Sequence, residues 1–309
     1  MHSSSTKSVR AGGINIAVRV AGTCTKSNAV LLLHGFPDSS KLWDSQVAAL
    51  AAAGYYVVVP DMPGYGQSDK PSDVSSYSLK HVCSVLCNVL DALGVQAACV
   101  VGHDWGAATA WALALQHPQR VSRLVVLSVG HPGVGASAEP RQRANWWYML
   151  FFTLPGAEAA LTANGWALFK QVMGQGCSQQ QVQQYISALS QPGALTAALN
   201  WYRANTQARH FGQTQPWPVN KQSRVACPVL GVWSSGDTAL LEAQMTESAA
   251  YVAAGCWRYV WLEGVGHWIP RDAAQQLNEL LLAFLREGEA CGCAPGQGGA
   301  AAPRQLSKL

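Results

Sequence analysis

The sequence predicts an α/β fold with a mostly parallel sheet, flanking helices and one inserted helical segment. Short β-branched or apolar runs alternate with amphipathic stretches, as in parallel βαβ units whose sheet is covered on both faces. The alternation breaks near His131 and resumes near Pro218. Between those points the pattern is helical and aromatic, with Trp146, Trp147, Tyr148, Phe151, Phe152, Trp201, Tyr202 and Trp217 and no clear buried strand.

In chain order, Val9 to Val20 reads as an antiparallel hairpin on the sheet edge, turning at Gly12-Gly13. Strands follow at Ala29 to Leu33, Tyr55 to Pro60, Ala97 to Val101, Leu124 to Ser128, Pro228 to Trp233 and Trp257 to Leu262. Helices are expected over Leu42 to Ala53, Leu79 to Leu93, Trp105 to Gln116 and Ala273 to Arg286. The core then comprises residues 1–133 and 218–288, the helical insertion residues 134–217, and a Gly/Ala/Pro-rich flexible tail residues 289–309. Loops at the carboxyl ends of parallel strands build ligand sites, so an insertion there reads as a lid.

A length of 309 residues fits one core plus an insertion. With 49% apolar and 12% charged residues, the chain can fill a core and is not of disordered type. The net charge of +4 comes without a Lys/Arg cluster interleaved with aromatics, so no nucleic-acid partner is expected. Met1 to Ser8 lacks a secretory h-region, and no apolar run approaches the ~18 residues of a spanning helix. The expectation is a soluble intracellular protein without a membrane span. The nine cysteines form no paired framework, and neither Cys83 with Cys87 nor Cys291 with Cys293 has partner histidines, so no metal site is expected.

The strand ending at Val101 runs into Gly102-His103-Asp104-Trp105-Gly106 and then the small residues Ala107, Ala108 and Ala110. Small flanking residues permit a strained strand-to-helix turn, a nucleophile elbow, that projects one side chain over the sheet. A buried or capping aspartate is the ordinary alternative, but this position directly after an apolar strand makes Asp104 the candidate nucleophile. Asp237 follows a later strand in Ser234-Ser235-Gly236-Asp237, and His267 follows the last one in Gly264-Val265-Gly266-His267-Trp268. The order nucleophile, acid, base is that of triads on such sheets. Asp237 would hold one imidazole nitrogen and leave the other to take a proton from water. Glu263 is the rival acid, disfavoured by its closeness to His267 in sequence. His34-Gly35-Phe36-Pro37 follows the first parallel strand, where a turn can aim backbone N–H groups into the site. The N–H groups of Phe36 and Trp105 are the candidate oxyanion donors, while His34, His103 and His131 read as structural.

These segments, together with Leu31-Leu32-Leu33 ahead of His34 and Asp61-Met62-Pro63-Gly64-Tyr65-Gly66-Gln67-Ser68, resemble the soluble epoxide hydrolases. That is the aspartate-nucleophile branch of the α/β-hydrolase fold, and the match covers about Ala29 to Arg286. Haloalkane and haloacetate dehalogenases share the aspartate elbow, so the lid must decide between the reactions. The resemblance implies two lid tyrosines that hydrogen-bond an epoxide oxygen. Tyr148 lies in an aromatic stretch before Pro155-Gly156, and Tyr202 lies in Asn200-Trp201-Tyr202-Arg203. Tyr185 has no such motif around it. Haloacetate dehalogenases tend to carry Arg where this chain has Trp105, and haloalkane dehalogenases tend to carry Asn near the position of Phe36.

The implied reaction converts an epoxide to a vicinal diol. Asp104 opens the ring, Tyr148 and Tyr202 assist the alkoxide, and His267 with Asp237 drives water onto the resulting ester. Trp105, Trp147, Phe36 and Trp268 are the candidate substrate-binding side chains. A non-catalytic small-molecule receptor is the reading from another class, and the presence of Asp104, Asp237 and His267 argues against it. No cofactor is implied. The expected substrate is an apolar or fatty-acid-derived epoxide, with small aryl or alkyl epoxides still open. Ser307-Lys308-Leu309 matches a peroxisomal address, which makes an import receptor the expected partner and the peroxisome, beside a cytosolic fraction, the expected location.

Overall fold

The computed structural model describes residues 4–25, 28–134, 140–206 and 224–290. Trp217, Cys291, Cys293 and Ser307 to Leu309 lie outside them. The edge hairpin pairs β1 (Ser5–Ala11) with β2 (Ile14–Ala21). Gly12 and Gly13 turn it with φ of 57° and 86°, the positive values a two-residue hairpin loop demands. Then follow β3 (Ala29–Leu33), β4 (Tyr56–Pro60), β5 (Ala98–His103), β6 (Val121–Leu127), β7 (Val229–Ser234) and β8 (Trp257–Leu262). The eight strands form one sheet in the order β1-β2-β4-β3-β5-β6-β7-β8. It is antiparallel from β1 to β4 and parallel from there to β8.

Strand side chains alternate between two apolar clusters, which is why these runs read as continuously hydrophobic. In β3, Leu31 and Leu33 join one cluster and Val30 and Leu32 the other; in β5, Val100 and Val101 divide in the same way. The helices of the core are α1 (Asp44–Ala52), α2 (Leu79–Ala92) and α3 (Trp105–Gln116). The predicted helix start at Leu42 is instead a 3-10 turn, Ser40–Trp43, capped by the Ser39 side chain. The predicted strand end at Ser128 is also shifted: Ser128 takes φ 68°, which no strand residue adopts, and β6 closes at Leu127.

Between β6 and β7 the chain forms α4 (Pro140–Asn145), α5 (Trp147–Thr153), α6 (Ala157–Met173), α7 (Gln179–Leu189) and α8 (Ala194–Asn205). Phe152, Leu161, Phe169, Trp201 and Tyr202 bury themselves in the cluster that holds Leu33 and Val100. The helix α6 is broken at its middle, where Asn164, Gly165 and Trp166 all have positive φ. The chain closes with α9 (Glu242–Glu247), α10 (Ile269–Asp272) and α11 (Ala274–Ala290), and Leu277 and Leu281 of α11 pack with Val47 and Leu50 of α1 in the opposite cluster. Among the described residues no helix is long and apolar enough to cross a membrane.

Candidate active site

Asp104 stands between β5 and α3 with φ 54° and ψ −125°, a backbone that costs an L-residue roughly 1–3 kcal/mol and persists only where the surroundings enforce it. The enforcement is visible in the glycines around it. A Cβ on Gly102 would meet the Gly106 carbonyl oxygen at 2.3 Å, and one on Gly106 would meet that of Leu33 at 2.0 Å. The turn therefore closes only with small residues on both sides of Asp104, as the sequence pattern implied.

The two carboxylate oxygens of Asp104 have different surroundings. Oδ1 accepts the Phe36 backbone N–H at 2.7 Å, and the Trp105 backbone N–H is a further donor to the carboxylate. A Cβ on Gly35 would fall 2.1 Å from Oδ1, so the loop approaches this closely only with glycine there. Oδ2 lies 3.8 Å from Nε2 of His267, an ionic contact too long for a hydrogen bond. Burial pushes the Asp104 carboxyl up, but His267, His103 and the Trp105 N–H outweigh it and hold the group below the ordinary aspartate value.

Nδ1 of His267 meets Oδ2 of Asp237 at 2.8 Å. Asp237 is itself fixed, because its Oδ1 accepts the backbone N–H groups of Ala239 at 2.9 Å and Leu240 at 3.0 Å. The loop that follows β7 is sewn to the His267 loop by Gly236 N–H to the Val265 carbonyl (2.9 Å) and Ser234 Oγ to the Gly266 carbonyl (2.9 Å). Burial works against a charge on His267, yet Asp237 and Asp104 raise its pKa to about 10. For Asp237 burial acts upward, and His267 with the two N–H donors brings the pKa below its ordinary value.

Tyr148 on α5 and Tyr202 on α8 face each other with ring centroids 6.2 Å apart. Both line a cavity of about 390 Å³ with Asp104, His267, Phe36, Trp147 and Trp268. Burial, then the nearby Asp104 charge, pushes both phenols well above the ordinary tyrosine value, so both are protonated at neutral pH. The segment around Tyr202 is anchored on both sides. Trp201 donates its indole N–H to the Pro63 carbonyl at 2.9 Å, and Arg203 makes a bidentate pair with Glu158 of α6 at 2.7 and 2.8 Å. Trp147 stands at the cavity wall with 50% of its surface exposed. The Trp105 indole is not among the side chains that line this cavity; it packs edge to face with Tyr202, ring centroids 5.1 Å apart.

His34 accepts the Met62 N–H at 2.9 Å through Nε2 and pins the Asp61–Ser68 loop, a structural part. His103 is fully buried, and its Nε2 donates to the His267 carbonyl at 2.8 Å, so it holds the backbone of the candidate base. His131 stacks on Tyr251 at 4.4 Å and accepts the Gly133 N–H, away from the cavity lining. Sequence reasoning missed Asp38. Its buried carboxylate accepts the Tyr185 hydroxyl at 2.8 Å and the Trp268 indole N–H at 3.1 Å, and burial raises its pKa to about 6 against those two bonds. Among the described residues no cluster of His, Cys, Asp and Glu could hold a metal ion.

Comparison with known proteins agrees with this architecture. The family profile described as the alpha/beta hydrolase fold matches residues 28–273. The chain is 31% identical to the AB hydrolase superfamily protein YfhM of Bacillus subtilis, over 90% of this chain and 96% of that protein. It is 31% identical to an epoxide hydrolase of Caballeronia sordidicola, over 91% of this chain and 94% of that one. The crystal structure of epoxide hydrolase A from Mycobacterium thermoresistibile superposes with a TM-score of 0.78 at 27% identity, covering 92% of this chain and 98% of the other. The chain belongs to the α/β-hydrolase-fold family, among its epoxide hydrolases.

Proposed function

We propose that this chain hydrolyses epoxides to vicinal diols through a covalent ester on Asp104, beneath a lid formed by α4 to α8. The observation that carries the reading is the asymmetry of the Asp104 carboxylate. Oδ1 accepts the Phe36 N–H, the Trp105 N–H is a further donor to the carboxylate, and Oδ2 is turned to His267. A carboxylate so divided suits attack by one oxygen and later stabilisation of an oxyanion on the other. The kinship with epoxide hydrolases supplies the substrate class.

In the first step Oδ2 attacks an epoxide carbon and the carbon–oxygen bond of the ring breaks. Tyr148 or Tyr202 gives its proton to the alkoxide. In the second step water adds to Cγ of the ester, and Nε2 of His267 takes its proton. Negative charge then develops on Oδ1, between the Phe36 and Trp105 N–H groups. Collapse expels the diol with the former Oδ2, His267 returns its proton to that oxygen, and the water's second proton passes from the regenerated Asp104 carboxyl to His267, which restores the resting ion pair. The resting imidazole is charged, because two anions face it. Ester formation neutralises Asp104 and removes one of them, so His267 sheds its proton and becomes a competent base. The shed proton restores the tyrosine.

The reading is tested by one turnover in H₂¹⁸O with enzyme in excess. The diol formed should carry no label, and the label should appear in Asp104. Label in the diol on the first turnover would mean direct attack of water and would sink the ester.

A further inference from the structure

Asp38 has no part in that mechanism, yet it joins three elements around the site. It follows Pro37 in the loop whose Phe36 N–H holds Asp104. Its Oδ1 accepts from Tyr185 on α7, and its Oδ2 accepts from the indole of Trp268. Trp268 adjoins His267, and its ring meets the imidazole edge-on at 5.2 Å. The same indole is held against the insertion by other groups. The Arg271 guanidinium lies 5.0 Å over its ring and donates to the Gly176 carbonyl at 2.8 Å. A Cβ on Gly176, between α6 and α7, would come within 2.5 Å of the indole. A buried carboxylate that lost these donors would bear its desolvation cost uncompensated, so the bonds resist separation of the elements they join.

We propose that Asp38 is a positioning residue that locks lid helix α7 to the Trp268–His267 loop, so that lid seating and orientation of the base form one arrangement. This rests on the epoxide-hydrolase reading above. Asp38 acts through Trp268, and the step it governs is ester hydrolysis, where His267 must aim Nε2 at a water beside Cγ. Asp38 shares a loop with Phe36, but its side-chain bonds go to Tyr185 and Trp268, so the ring-opening groups Asp104, Tyr148 and Tyr202 are not among its partners.

Kinetics separate such a role from a merely structural one. Slowing only the second step of a covalent mechanism lowers kcat and KM in proportion, leaves kcat/KM unchanged and lets the ester accumulate. A loss of folded enzyme lowers kcat at constant KM. Tyr185→Phe removes one hydroxyl and keeps the ring, and Asp38→Asn keeps the shape without the charge. Tyr185→Phe should lower kcat and KM together by about ten-fold, the scale of one charge-assisted hydrogen bond, with ester visible by intact mass during turnover. Asp38→Asn should move both constants further the same way. A fall in kcat at unchanged KM in both variants, or wild-type constants in both, would overturn the proposal. If wild-type enzyme formed no ester and no diol from any epoxide, the parent reading would fail first, before either variant was measured.

Discussion

Asp104, Asp237 and His267 each follow a strand end, and strand ends were legible because buried parallel strands read as short apolar runs. Their approach in space follows from the sheet order, which sets β5, β6, β7 and β8 side by side. Asp38 was not legible, because its partners Tyr185 and Trp268 stand 147 and 230 positions away and no local period connects them. At this scale the charge on His267 yields two predictions. Its pKa is raised from 6.5 to about 10. A group raised in the folded state contributes stability that is fully present below its unfolded value and is lost as pH rises through the folded one. The melting-temperature advantage of wild type over His267→Gln should therefore shrink from pH 6.5 to pH 10, and a difference that grew with pH would contradict it. Asp104→Asn removes one of the two anions facing the imidazole, so its pKa, read by NMR titration, should fall from about 10. Diol formation by the same variant should drop by about 10³-fold or more, since an amide is no nucleophile at neutral pH.

At the scale of elements, the elbow depends on close backbone contact and the insertion on anchoring of its helices. Gly106→Ala would put a Cβ 2.0 Å from the Leu33 carbonyl oxygen, which is backbone and cannot swing aside. We expect a stability loss of about 3 kcal/mol or more, larger than ordinary core overpacking, read as a shift in denaturant midpoint; a neutral variant would refute the close-packed elbow. The tyrosines stand on different helices, and on the proposed mechanism their substitutions should differ from loss of Asp104. Replacing Tyr148 and Tyr202 together with Phe should abolish ester formation while leaving substrate binding, and either single variant should slow it by roughly 10²-fold. Unimpaired ester formation in the double variant would remove the tyrosines from the ring-opening step. The helical character of the insertion was legible from its composition, and Tyr202 from its motif. The break in α6 was not, because a lone Asn164-Gly165 pair is tolerated within helices and left-handed Trp166 has no sequence signature.

Across the whole molecule, one sheet presents the proposed nucleophile, acid and base at the carboxyl ends of three strands, and the insertion covers them with the aromatic half of the cavity. Burying the carboxylates without loss of charge requires the donors that surround them, and these come from loops far apart in sequence. That mutual dependence is why the alternating apolar runs pointed to the architecture while the cavity wall, and the packing of Trp105 on Tyr202, needed the fold. Among the described residues, the charged groups lining the cavity are Asp104 and His267, with neither Lys nor Arg. A neutral epoxide should accordingly have a higher kcat/KM than a carboxylate of equal length, because the His267 cation is already paired with the Asp104 and Asp237 carboxylates and no other lining cation can receive the anion.

The most direct measurement is the intact mass of His267→Gln after incubation with aryl and fatty epoxides, beside alkyl and acetate halides. The account predicts a gain equal to one whole epoxide, which peptide mapping places on Asp104 and which persists because the water-activating imidazole is gone. A gain from halides alone, equal to the substrate less hydrogen halide, or an adduct on another residue, would contradict it.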